Sequence, residues 1–74
     1  MPDDDVLDWR TEAHHAGTHP MHVWIQLQRT WPRNSMWNIP HKPADVDQLA
    51  ADPQHHHTIR NAIATAAERT KADA

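Results

Sequence analysis

From His22 to Trp31 the chain alternates, with Val23, Ile25 and Leu27 on one side and Trp24, Gln26, Gln28 and Thr30 on the other. A repeat of two predicts a β-strand with one buried face. The turn formers PRNS follow at 32–35, and MWNI at 36–39 reads as a short return strand. Together they predict a β-hairpin, 22–31 and 36–39. Pro40 and Pro43 cannot donate to a ladder and would end it.

On either side of this segment the apolar spacing becomes helical. Val6, Trp9, Ala13 and Ala16 recur along one face of a predicted N-terminal helix over about 4–16. Asp3 or Asp4 would cap it, and Gly17 stands where a left-handed residue closes a helix. Val46, Leu49 and Ala50 mark a second helix over about 44–51. Asp52-Pro53 then breaks the chain and restarts it, cap followed by proline at the first helical position. The final helix, about 54–71, places Ile59, Ala62, Ile63 and Ala66 at i, i+3, i+4 and i+7. The expected architecture is one small α+β domain over 1–74, with the last helix across the apolar face of the hairpin.

Composition narrows the means of stabilising such a fold. Of the 74 residues, eleven are alanine and ten are Ile, Leu or Val; Phe and Tyr are absent, and four tryptophans supply the large apolar surfaces. A core this small draws help from a metal, disulfides or oligomerisation. With no cysteine, disulfides, thiolate zinc sites and thiol catalysis are excluded. The start MPDDDVLDW lacks the apolar centre of a signal peptide, and no apolar run approaches the roughly 18 residues of a membrane span. A soluble cytoplasmic protein is expected.

Charge is segregated. Residues 1–12 hold five carboxylates against Arg10, and residues 45–74 hold five more against Arg60, Arg69 and Lys71. Between them, 13–44 carry Arg29, Arg33 and Lys42 and no acid at all, although the chain as a whole is at −3. One explanation is that strands tolerate Asp and Glu poorly. The other is a surface cleared for a partner. Tryptophan and arginine are the side chains in which binding energy concentrates. The expected contact set on the hairpin is therefore Trp24, Gln26, Gln28, Arg29, Trp31, Arg33, Trp37 and Lys42. Trp24 leads it, because it shares a strand face with two glutamines. Trp9 and one of Trp31 and Trp37 are assigned to the core. The matching partner is another protein with an acidic or acceptor-rich surface. A small accessory or inhibitory protein, of the kind phages encode, fits this size. A free hairpin edge would also allow a symmetric homodimer.

Two alternatives compete. Eight histidines invite a zinc site, with His19 and His22 from one cluster and His55 and His56 from the other as neutral imidazole ligands. The histidines at 55–57 begin the last helix, where the positive end of the dipole disfavours protonation. No established zinc spacing is present. The stretch ADVDQLAADPQHHHTIRNAIATAAERTKA loosely resembles a helix-turn-helix, and HVWIQLQR with the helices after it resembles a ribbon-helix-helix repressor. Either resemblance implies DNA binding. Against it, Pro53 stands in the turn, the turn glycine is missing, and a pI of about 6.2 is far from the basic range of such domains. Catalysis finds no motif: Ser35 is the single serine, and the single glycine leaves no phosphate-cradling loop. A non-enzymatic interaction module is the expectation.

Overall fold

The computed structural model describes residues 6–32 and 39–73. Every regular element in them is helical: α1 (Trp9–Ala16), α2 (Pro20–Thr30), α3 (Pro43–Ala50), a 3₁₀ turn (Pro53–His55) and α4 (His56–Asp73). The predicted α+β fold is therefore wrong, and so is its hairpin. Residues 22–31, expected as a strand, belong to α2 and its C-cap, while 36–38 of the expected return strand lie outside the described residues. With no strand among the described residues there is no sheet edge for a homodimer to extend.

The reason is a degeneracy in the pattern. Val23 and Leu27 satisfy both a repeat of two and a helical i, i+4 repeat. Ile25 and Gln26 separate the two readings. A strand would bury Ile25 and expose Gln26; here Ile25 is 37% exposed and Gln26 7%. Val23, Gln26 and Leu27 are thus the inner face of a helix at i, i+3 and i+4. Local signals agree. The His19 Nδ1 accepts from the Met21 N–H at 3.0 Å, and Pro20 takes the first helical position. At the other end Pro32 pushes Trp31 into extended backbone, φ −63° and ψ 129°, which stops α2.

α1 starts later than expected. Asp8 is its cap, with both oxygens used by Thr11, and residues 6–8 are not helical. Asp3 and Asp4, the expected caps, lie outside the described residues. Gly17 does close the helix, at φ 89°, where its N–H reaches the His14 carbonyl and that of Thr18 reaches Ala13. Asp52 caps the 3₁₀ turn ahead of Pro53, again as the spacing predicts.

α2 lies antiparallel to α4. His22 and Arg29 share a cavity wall with Arg69 and Thr70, whereas Thr30 and Pro32 face Thr58 and Asn61. One apolar cluster joins all four helices, with Leu7, Trp9, Val23, Leu27, Val46, Ile59 and Ile63 as its larger members and Ala13, Ala50, Ala62 and Ala66 between them. The four positions predicted for the inner face of the last helix are all buried. Polar groups tie the rim. Asp47 Oδ1 accepts from Trp9 Nε1 at 2.7 Å and from Arg10 Nη1 at 2.6 Å, and the Arg10 guanidinium lies 4.9 Å from the centre of the Trp9 ring. The Thr70 hydroxyl donates to the Ala66 carbonyl and so accepts from Thr18 Oγ1 at 3.1 Å. The Ala50 carbonyl takes two donors, the Leu7 N–H at 2.9 Å and the His56 Nε2 at 2.7 Å.

Two outcomes follow for stability. Leu27→Ala is expected to cost about 2–5 kcal/mol, and Ile25→Ala less than about 1 kcal/mol. Equal costs in thermal melts would restore the strand register. The second concerns acid. The Thr11 hydroxyl, then its N–H, hold the Asp8 carboxyl below its ordinary value of 3.8; the Gln54 amide side chain, then its N–H, do the same for Asp52. A carboxyl lowered in the folded state binds its proton more readily once unfolded. The caps' contribution is therefore complete above the unfolded value and is lost as pH falls through the folded one. In an Asp8→Asn, Asp52→Asn double variant, which keeps acceptors but not titration, the fall in Tm below about pH 4 should be shallower.

Candidate functional site

α2 presents three faces. Val23, Gln26 and Leu27 point inward. Trp24 and Gln28, one turn apart, both donate to the Pro40 carbonyl, from Nε1 at 3.0 Å and Nε2 at 3.1 Å. Met21, His22, Ile25 and Arg29 form the outer face, all of them exposed. That outer face borders a cavity of about 310 Å³ between α2 and the C-terminal part of α4. His22, Ile25, Gln26 and Arg29 line it from α2, and Ala66, Arg69, Thr70 and Ala72 from α4.

The predicted contact residues are divided by this arrangement. Arg29 is on the groove, and Gln26 forms part of its floor. Trp24, expected as the leading exposed contact, is half-buried against the core, with its indole N–H committed to Pro40. Gln28 is half-buried beside it. Trp31 packs on the core, its ring centre 6.0 Å from that of His55. Trp9 is 2% exposed, as expected. Lys42 is exposed at the start of α3 and does not line the groove. Arg33 and Trp37 lie outside the described residues. Sequence reasoning missed Arg69, Ile25 and His22 as groove residues. The signal was present: at helical spacing His22, Ile25 and Arg29 fall on one face at i, i+3 and i+7.

The two histidine clusters are not brought together. His19 and His22 begin α2, beside the C-terminal part of α4, and His55 and His56 stand at the other end of α4. Fourteen residues of helix separate those ends, about 20 Å. His19 is a helix cap through Nδ1, His56 is bonded to Ala50, and His55 is buried against Trp31. Among the described residues no group of three or more His, Asp or Glu could hold a metal ion. His14, His19 and His22 do gather at one end of the molecule, with successive ring centres 6.3 Å apart and the rings edge-on.

No helix among the described residues is long and apolar enough to cross a membrane. No protein-family model matches the chain, and no curated protein or solved structure matches it either.

Trp24 and Gln28 act on one carbonyl, and that fixes an expectation. Trp24→Phe keeps most of the apolar contact and removes one donor, so it should cost about 1 kcal/mol. Trp24→Ala adds the loss of packing and should cost about 3 kcal/mol or more. A Trp24→Ala variant with unchanged Tm would return this side chain to the surface.

Proposed function

We propose that this chain is a non-enzymatic interaction domain that docks on an acidic stretch of another protein through the groove between α2 and α4. A cytoplasmic setting belongs to the same reading, in keeping with the absence of cysteine. The observation that supports it is where carboxylates are missing. Residues 13–44 contain none. If the segment formed a sheet, the low strand propensity of Asp and Glu would account for that. α2 is a helix, in which Glu is a good former and an acid in the first turn is favourable. Its first turn nevertheless has no acid, and its outer face carries His22 and Arg29. Local propensity does not explain that choice; complementarity to a negative partner does.

The groove extends the same chemistry onto α4, where Arg69 lines it together with Ala66. Two guanidiniums over a small apolar floor suit a segment in which acidic and apolar side chains alternate. Arginine at such a site gives paired hydrogen bonds to a carboxylate, which lysine cannot match.

Charge reversal tests the reading. An Arg29→Glu, Arg69→Glu variant should lose capture of an acidic protein from lysate by at least about tenfold, with helical circular dichroism unchanged. Duplex and single-stranded oligonucleotides should give no mobility shift. A shift that weakens steeply with salt and disappears in the same variant would transfer the groove to nucleic acid. Capture that survives both reversals rejects the groove.

A further inference from the structure

Gln26 is the anomaly of the α2–α4 contact. It is 7% exposed and sits over Ala62 and Ala66, where it borders both the 310 Å³ groove and a second cavity of about 290 Å³ lined by Thr30, Pro32, Thr58 and Asn61. Its main-chain carbonyl is used by the Thr30 hydroxyl at 3.0 Å. Among the described residues, nothing bonds to its side-chain amide. That amide carries two donors and an acceptor. The amide nitrogen and oxygen are not sealed from solvent, so both are open to a ligand that enters beside them. On the groove side Gln26 shares the lining with Arg29 and Arg69.

A carboxamide matches a peptide main chain, because both present an N–H and a C=O side by side. We infer that the groove holds an extended acidic peptide whose main chain is paired by the Gln26 amide, with Arg29 and Arg69 taking its carboxylates and Ile25, Ala66 and Ala72 an apolar side chain. This rests on the docking reading above and adds the form of the ligand. A helical partner is disfavoured, since its own N–H and C=O groups are already bonded to each other. An extended segment has them free.

The test begins with selection of short random peptides displayed on phage, using the full chain as bait. Enrichment of sequences in which Asp or Glu neighbours an apolar residue is expected. A fluorescent synthetic copy of the winner is then titrated by polarisation. Gln26→Leu should weaken it about tenfold, the size of one or two lost hydrogen bonds. Methylating the peptide nitrogen that faces Gln26, found by scanning the winner, should weaken the native chain by a similar factor and leave Gln26→Leu unaffected. The helical circular dichroism of Gln26→Leu should match that of the native chain, so that its weaker binding reads as a lost contact. Equal binding by Gln26→Leu, with binding lost in Arg29→Glu, Arg69→Glu, overturns the main-chain pairing and leaves acidic docking standing. No enrichment, or winners without acids, overturns both readings.

Discussion

Ala62 and Ala66 present only methyl groups on the face of α4 that meets α2, and helix separation is set by the side chains at the contact. This small-residue seam lets α2 approach α4 closely enough for Val23 and Leu27 to reach zero exposure in a chain with few large aliphatic residues. The same closeness takes Gln26, one turn from Val23, below the surface. It also leaves clefts to either side of the seam, because the bulkier Ile25, Arg29 and Thr30 diverge around it. Stability and the candidate site therefore share one cause.

The tryptophans show how a core without Phe or Tyr is assembled. An indole offers large apolar area with one donor at its edge. In two of the four that donor reaches another element, from Trp9 on α1 to Asp47 on α3, and from Trp24 on α2 to the Pro40 carbonyl in the segment leading to α3. Each ring thus fills volume and fixes a neighbour's position. Several histidines serve similarly: His19 caps α2 and His56 secures the end of α3. The abundance of imidazole is in part an architectural matter, with rings standing where Ser, Asn or Lys would commonly cap.

The helices were legible where the signals were redundant. Asp52-Pro53, Gly17 and the Ile59, Ala62, Ile63, Ala66 series each carry both a spacing and a stop or start residue, and the boundaries of α3 and α4 fall within a residue or two of expectation. α2 was misread because alternation over six residues cannot exclude a helix when Val23 and Leu27 lie four apart, and because β-branched Val and Ile raised the strand reading. The decisive facts, burial of Gln26 and exposure of Ile25, are tertiary. For the site, the missing carboxylates were legible in the sequence, and Arg29 with them. Arg69 was not, since it lies forty residues away and shares the groove with Arg29 only through the antiparallel packing.

The Ala50 carbonyl, with one donor from Leu7 and another from His56, uses both of its lone pairs. A carbonyl can only accept, so the His56 hydrogen must reside on Nε2 and the ring is held in a single tautomer. The lead into α1, the end of α3 and, six residues further on, the start of α4 thereby meet on one oxygen. Local opening at the end of α3 strands both donors at once, which ties exchange of the Leu7 amide hydrogen to the integrity of that helix end.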